Sequence, residues 1–273
     1  MTDLLLSTDA RGVATLTLNR PERHNAFDDA IVALLTGYLR KLAEDDAVRL
    51  LVIRGAGRSF SAGGDIEWMR RMTGASFEEN LRDARALAEM MGLLDSFPKP
   101  TIAFVHGAAY GGGVGLVACC DIAIATDSAT FCMSEARLGI IPAVIGPFVI
   151  RAIGARHARR LMLTAETISA ARARSIGLAH EAAPEEAASE LLAGIVEALL
   201  RCAPGAQKQA KTFIARDAGR TIDDSLAQES AHLLATLRAS SEGHEGLSAF
   251  LEKRVPKWAG GESVSNVSQA ADR

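Results

Sequence analysis

The 273-residue sequence lacks the marks of several protein classes. Its 30 Lys and Arg residues stand against 33 Asp and Glu residues, so no general nucleic-acid or anionic-membrane surface is indicated. No apolar run approaches the roughly 18 residues that a membrane span requires. The first ten residues have neither a basic segment nor a long apolar one. No secretory signal is therefore expected, and a cytoplasmic location is predicted.

Cysteine is scarce and its spacing is uninformative for metal binding. The four cysteines include no C-x-x-C pair, and Cys119 and Cys120 are adjacent within a strongly apolar stretch. A zinc site or a disulfide framework is not favoured by this pattern. Buried thiols in a reducing compartment are the expectation.

Short apolar runs alternate with glycine-rich turns and helical patterns. The unit of strand, glycine turn and helix occurs twice before residue 126, which predicts right-handed crossovers and a mainly parallel sheet in an α/β protein. Asp28 is expected to cap the first helix, whose apolar face should carry Ile31, Leu34, Leu35, Tyr38 and Leu42. Predicted strands cover 13–18, 50–54, 101–105 and 121–125, and predicted helices cover 29–43, 77–94 and 114–119.

Three regions are predicted along the chain. Residues 1–202 form the core domain, residues 203–258 form a helical region that begins near a Pro-Gly break, and residues 259–273 form a small, polar tail. The composition of the tail predicts disorder.

The most informative feature is a pair of glycine turns, Ser61–Asp65 and Gly111–Gly113. Each turn follows a predicted buried strand and precedes a predicted helix, whose N-terminus presents unpaired N–H groups. Two such termini facing each other would direct two donors at one oxygen, which is an oxyanion hole. Neither turn is a Walker A or a G-x-G-x-x-G motif, although glycines that merely permit tight turns remain an alternative.

Four motifs in order resemble the crotonase (enoyl-CoA hydratase/isomerase) superfamily over about residues 5–256. They are HNAF (24–27), SAGGDI (61–66), HGAAYGGG (106–113) and SEARLGIIP (134–142). The resemblance implies a crotonase fold, with repeated ββα units in a stacked sheet core and a C-terminal helical region that forms trimers, often paired as hexamers. It also implies coenzyme A thioesters as substrates and no required metal or redox cofactor.

The resemblance assigns roles to individual residues. Gly64 and Gly112 would supply the two oxyanion N–H groups. For Arg23 and Lys253, a solvated surface charge remains the alternative. Residues implied in substrate or CoA binding are Arg23 (phosphates), Ala62 (adenine, through its backbone), Asp65 (bracing the loop), the adjacent Ile66, and the C-terminal pair Phe250 and Lys253.

The acid–base residues depart from the family pattern. Typical enoyl-CoA hydratases carry two glutamates; Glu135 matches the second, and Gly115 stands at the position of the first. The apolar sequence around Glu135 predicts burial and a raised pKa suited to proton transfer. A surface glutamate at a helix start is the alternative.

The sequence around this departure resembles bacterial methylglutaconyl-CoA hydratases of leucine breakdown, which act on a carboxylated acyl group. A second glutamate would repel a substrate carboxylate by about 4 kcal/mol at ~4 Å and an effective dielectric constant near 20. Gly115 is therefore expected to remove that charge and open room. Arg137 and Arg151 are candidate partners for the substrate carboxylate.

Three other functions stay open at this stage. A Δ3,Δ2-enoyl-CoA isomerase would need Glu135 as its sole base. The absence of a glutamate at Gly115 also permits a catalytically silent CoA-binding scaffold. RNA binding, known for a mammalian member of the family, is disfavoured because no basic stripe interleaved with aromatic residues is present.

Overall fold

The computed structural model describes residues 2–260, and the chain divides between Val196 and Glu197 into two compact units. The division falls six residues before the predicted boundary at residue 202 (202 − 196 = 6). Residues 261–273, most of the tail predicted to be disordered, lie outside the described residues.

The first unit contains a six-stranded sheet. Its strands are β1 Leu4–Thr8, β2 Val13–Leu18, β3 Leu50–Gly55, β4 Thr101–Val105, β6 Ile122–Thr126 and β9 Glu181–Ala183. They are arranged in the order β1-β2-β3-β4-β6-β9, with β1 antiparallel to β2 and every other neighbouring pair parallel. The prediction of a mainly parallel sheet is thus confirmed.

A second, three-stranded sheet lies beside the functional turns. It comprises β5 Ala108–Tyr110, β7 Thr130–Cys132 and β8 Ile168–Ser169, with β5 and β7 parallel and β8 antiparallel to β7. These strands are too short to be predicted from periodicity, because two or three residues give no repeat to detect.

Helices follow the strands in the predicted order. In the first unit they are α1 Asp29–Glu44, α2 Ile66–Met72, α3 Phe77–Asp95, α4 Gly112–Cys119, α5 Gly146–Thr164 and α6 Ala170–Ser175. Helix α7 spans Glu185–Arg201 and crosses the division between the units. Within the described residues, no helix combines the length and hydropathy that a membrane crossing demands.

Helix α1 begins where the sequence predicts. The Asp28 carboxylate accepts a hydrogen bond from Ile31 N–H, which satisfies one of the unpaired donors of the first turn. The apolar face is rotated from the predicted one. Leu34 is 43% exposed, whereas Val32 and Leu39 are buried.

The core surrounds α4, which is apolar on every side. Its residues from Gly113 to Cys119 are all buried, as are all five residues of β4. Cys119, Cys120 and Cys132 are buried and form no disulfide, as expected, but Cys202 is exposed. The prediction was wrong for Cys202 because it lies just past the end of α7.

The second unit is helical. Helices α8 Pro204–Asp217, α9 Asp224–Arg238 and α10 Ser241–Leu251 are followed by a 3₁₀ turn at Lys257–Ala259. The Glu242 carboxylate accepts hydrogen bonds from Gly205 and Ala206 N–H and so closes the N-terminus of α8.

Candidate active site

In the first glycine turn, the N–H of Gly64 points away from the strand-like pairing with Phe27. Phe27 pairs with this turn as a parallel bridge: Phe27 N–H donates to Gly63 O, and Asp65 N–H donates to Phe27 O, each at 2.7 Å. In a parallel ladder the residue between these two bonds points its own N–H to the opposite side. Among residues 2–260, no acceptor takes the Gly64 N–H.

The second turn supplies a helix N-terminus. Gly111 N–H donates to Cys132 O at 2.9 Å, and Gly111 adopts φ 48° and ψ −117°, a conformation that favours glycine. Gly112 is the first residue of α4, so its N–H has no partner inside the helix. No acceptor within the described part of the chain bonds this N–H either.

The backbones of the two turns are in contact. A Cβ on Gly63 would stand 3.2 Å from Tyr110 O and 3.8 Å from the Cα of Gly111. A Cβ on Gly112 would stand 2.7 Å from the Phe27 ring. The glycines are therefore required by close packing of the turns, which brings two unpaired amides into one neighbourhood.

Glu135 completes this neighbourhood. It begins a 3₁₀ helix, Glu135–Leu138, and its Oε1 lies 3.2 Å from the point where a Cβ on Gly111 would stand. Among residues 2–260, its Oε2 is buried without a hydrogen-bond partner. Such an orphaned buried oxygen is costly and points to a function. The alternative of a surface glutamate is not what the structure shows.

The environment of Glu135 favours its neutral form. Burial raises the pKa of the Glu135 carboxyl above its ordinary value of 4.5, and a hydrogen bond with its own backbone offsets only part of this effect. Phe131 and Met133 are buried beside it in sequence, whereas Leu138 and Ile140 are 57% and 59% exposed. A carboxyl with a raised pKa exchanges protons readily near neutral pH.

The 3₁₀ helix that carries Glu135 is tied at both ends. Gly139 ends it in the left-handed region, at φ 75°, and Ile140 N–H donates to Glu135 O at 3.3 Å. Arg137 donates from Nη2 to Ala165 O at 2.6 Å. Arg137 therefore anchors the loop, and this contact argues against its predicted pairing with a substrate carboxylate.

Asp65 joins the first turn to a charged cluster. Its Oδ1 accepts from Glu67 and Trp68 N–H and caps α2, while its Oδ2 accepts from Arg23 at 3.1 Å and Arg20 at 3.4 Å. Burial alone would raise the pKa of Asp65, but these hydrogen bonds and the positive charge of Arg23 outweigh it and lower the pKa. Asp65 thus stays ionised, and its hydrogen bonds hold in place the backbone that directly follows Gly64.

Arg20 is a site residue that the sequence analysis missed. Its side chain is only 8% exposed and bonds Asp28 Oδ2 at 2.6 Å as well as Asp65, so it links the N-caps of α1 and α2. The buried Asn25 supports it: Asn25 Oδ1 accepts from Arg20 N–H, and Asn25 Nδ2 donates to Ser59 O. The sequence signal for this role was an arginine directly before Pro21 and close to the HNAF motif, which contains Asn25.

The residues implied in CoA binding are distributed over both units. Arg23 binds Asp65 and Glu67, and Ala62 N–H donates to His24 O. Ile66 is 68% exposed at the start of α2. Phe250 is 81% exposed on α10, and Lys253 lies in the turn after it at φ 53°, both in the second unit.

The space that a side chain at position 115 would enter is occupied by neighbouring side chains, contrary to the expectation that Gly115 opens room. A Cβ there would overlap Ile145 Cγ2 and would stand 2.8 Å from Met91 Cε. Ile145 and Met91 are both buried. Arg151, the other candidate partner for a substrate carboxylate, is ion-paired with Asp95 instead. A substrate carboxylate therefore has neither space nor a partner at position 115.

A separate cavity of about 770 Å³ lies among α1, α2 and α3. Trp68 lines it and donates from Nε1 to Asp83 at 3.1 Å, while the Trp68 ring also lies 3.3 Å from the point where a Cβ on Gly64 would stand. Neither Glu135 nor Gly112 is among its lining residues. Within the described residues, the two amides without acceptors and the buried Glu135 carboxyl occur together at the glycine turns and not in this cavity.

Comparison with known proteins identifies the family. The family described as enoyl-CoA hydratase/isomerase matches residues 8–261. The chain is 34% identical to the 2,3-dehydroadipyl-CoA hydratase of Escherichia coli, over 95% of this chain and all of that protein. It is also 34% identical to the 1,2-epoxyphenylacetyl-CoA isomerase of E. coli, with the same coverage. The crystal structure of an enoyl-CoA hydratase from Shewanella pealeana superposes with a TM-score of 0.91 at 40% identity, covering 94% of this chain and 96% of that one. The chain belongs to the enoyl-CoA hydratase/isomerase family of the crotonase superfamily.

Proposed function

We propose that this enzyme, which is of the enoyl-CoA hydratase type, adds water across the double bond of an α,β-unsaturated acyl-CoA with Glu135 as its only acid–base carboxylate. The observation that carries the proposal concerns the described residues: Glu135 has a buried Oε2 without a hydrogen-bond partner and an Oε1 beside Gly111, and the two glycine turns hold amides without acceptors. Uncompensated buried polar groups cluster at functional sites, where a ligand completes them.

The reaction follows from the positions of these groups. The thioester oxygen accepts hydrogen bonds from Gly64 and Gly112 N–H. Glu135 takes a proton from water as the oxygen of that water bonds to Cβ, and the electron pair of the double bond moves onto the thioester oxygen as an enolate. Glu135 then returns the proton to Cα. Removing one donor of such a hole typically lowers the rate by about 10²–10³-fold.

We further propose that the substrate carries an additional carboxylate, as in 3-methylglutaconyl-CoA. The sequence likeness to methylglutaconyl-CoA hydratases supports this, and the related E. coli enzyme is named for 2,3-dehydroadipyl-CoA, whose acyl group also ends in a carboxylate. The substrate carboxylate would lie away from position 115, because Ile145 and Met91 occupy that space. Leucine breakdown is the corresponding pathway.

A substrate panel tests the acyl group. Hydration of crotonyl-CoA and of 3-methylglutaconyl-CoA is followed by loss of the absorbance of the conjugated thioester, with wild type and Glu135→Gln in parallel. We expect a preference for 3-methylglutaconyl-CoA and loss of most of the rate in the variant. A strong preference for crotonyl-CoA would contradict the proposal of a carboxylated substrate. Near-normal turnover by Glu135→Gln would show that Glu135 is not the acid–base residue.

The second candidate is a Δ3,Δ2-enoyl-CoA isomerase. The presence of one carboxyl and of apolar side chains at position 115 favours it, because one base is enough to take a proton from C2 of a 3-enoyl-CoA and return it to C4 of the resulting dienolate. Incubation with a 3-enoyl-CoA separates the two functions. An isomerase increases the absorbance of the conjugated thioester and leaves a 2-enoyl-CoA unhydrated, whereas a hydratase consumes the 2-enoyl-CoA.

The assembly and location are also proposals. We propose a homotrimer or a dimer of trimers in the cytoplasm, in which Phe250 and Lys253 contact CoA within the same chain or across a subunit boundary. The exposure of Phe250 supports a role in contacts beyond its own helix. Sedimentation equilibrium measures the assembly, and a monomer at micromolar concentration would contradict it.

A further inference from the structure

Position 115 lies on the same face of α4 as the site. Successive residues of an α-helix turn by about 100°, so residue 115, three positions after Gly112, points to about the same side of α4 one turn farther along. Gly111 precedes α4, and Glu135 Oε1 is the atom nearest to a Cβ built on it; Gly112 N–H is without an acceptor among residues 2–260. A side chain at position 115 would therefore extend along the wall that continues from these two residues.

Two apolar side chains occupy this wall, and they differ in how easily they yield. Met91 contributes only its terminal Cε, which moves by rotation about flexible bonds. Ile145 contributes its Cγ2 and also its Cβ, at 3.0 Å from a Cβ on Gly115. A β-branched side chain is stiff at χ1, and its Cβ is fixed by the backbone. Ile145 is therefore the group that decides what fits at position 115.

The backbone of Ile145 is held in place by local hydrogen bonds. Ile145 immediately precedes α5, and its carbonyl accepts from Val149 N–H at 3.1 Å. Gly146 N–H donates to Pro142 O at 2.7 Å. With 3% exposure, the Ile145 side chain is enclosed by the protein. Its position is a property of the fold and not of one rotamer.

We infer that Ile145 is the residue that restricts this site to one carboxylate, by filling the volume that a second acid–base side chain at position 115 would need. The inference rests on the proposed hydration by Glu135 and extends it. With an isoleucine methyl group in this volume, no charged group or hydrogen-bonded water is held there. Glu135 must then carry both proton transfers, and the acyl group meets an apolar surface on the side of Gly115.

A set of substitutions tests this assignment. Gly115→Glu, Ile145→Ala and the combined Gly115→Glu/Ile145→Ala are compared in melting temperature, hydration of crotonyl-CoA and the pH profile of kcat/KM. The combined Gly115→Gln/Ile145→Ala is the matched control, with the same bulk and no ionisation. Gly115→Glu alone should melt at a lower temperature and gain no activity, because its side chain has no space.

The combined glutamate variant should recover melting temperature relative to Gly115→Glu. Its hydration of crotonyl-CoA should exceed that of Ile145→Ala and of the glutamine control by at least about tenfold, since a positioned proton donor contributes 10²–10⁴-fold. Its pH profile should gain a second ionisation that the glutamine control lacks.

Two results would overturn the role of Ile145. One is a Gly115→Glu single variant that melts like wild type and shows the second ionisation. The other is a combined Gly115→Glu/Ile145→Ala variant whose pH profile lacks the second ionisation, which would mean that position 115 does not face the reacting atoms. Failure of the underlying hydration proposal appears separately, as Glu135→Gln retaining activity in the otherwise unchanged enzyme.

Discussion

The Oε1 atom of Glu135 lies 3.2 Å from the point where a Cβ on Gly111 would stand. Because Gly111 has no side chain, the Glu135 carboxylate has room beside it. Gly111 also directly precedes Gly112, whose N–H is proposed to bind the thioester oxygen. One residue therefore serves both halves of the site, so its substitution should affect both.

Gly111→Ala should lower kcat by at least tenfold with a smaller change in KM. The added methyl group pushes Glu135 away and strains a backbone at φ 48°, ψ −117°, a cost on the order of 1–3 kcal/mol. Gly219→Ala is the matched control, because Gly219 has φ 84°, no atom within 4 Å of a new Cβ and a place in the second unit. Steady-state kinetics and thermal melting of both variants check this. Equal effects on kcat would show that the strain alone matters.

Glu135→Gln should be more stable than wild type at neutral pH. The pKa of Glu135 is raised on folding, so the folded state holds its proton more tightly than the unfolded state. Ionised Glu135 therefore destabilises the fold, fully above the raised pKa and not at all below the ordinary value of 4.5. The gain in melting temperature should shrink as the pH falls through this window. A variant that is less stable at neutral pH would contradict the cost of burying this charge.

Hydration should lose activity on the acidic side at a higher pH than an exposed carboxylate would give. Only ionised Glu135 accepts the proton of water, and burial raises its pKa. The profile of kcat/KM against pH for the free enzyme measures this ionisation. A rate that stays level down to pH 4.5 would show that a different group is the base.

Arg20→Ala should cost about 3–5 kcal/mol of unfolding free energy, because it removes the buried cation that pairs with both Asp28 and Asp65. Arg23→Ala is the matched control: its side chain is 42% exposed, and such ion pairs contribute about 0–1 kcal/mol. Denaturant unfolding measures both. We also expect a lower kcat in Arg20→Ala, since Asp65 follows Gly64. Equal stability of the two variants would contradict the bridging role of Arg20.

Much of the fold was predictable because its signals are local. Neighbouring residues alone determine the apolar runs of β3 and β4, the helix cap at Asp28 and the glycine turns. The neighbourhood of the two turns and Glu135 was predictable only through the family motifs, because no local pattern encodes which turns meet.

Other features depend on packing between distant segments. The contact of Ile145 with Gly115 spans 30 positions (145 − 115 = 30), and Arg20 reaches Asp65 across 45. A missing glutamate in the sequence suggested empty space, but cores fill such space with whatever apolar group is adjacent. Arg137 and Arg151 were open candidates for the same reason: their partners Ala165 and Asp95 are set by the fold.

The infrared spectrum of a ¹³C-labelled enoyl-CoA thioester bound to Glu135→Gln tests most directly whether two amides and one carboxyl act on the same acyl group. The account predicts that the carbonyl stretch lies well below its frequency in water, because Gly64 and Gly112 N–H still polarise it, while hydration is lost. A carbonyl frequency equal to that in water, or hydration at nearly the wild-type rate, would contradict it.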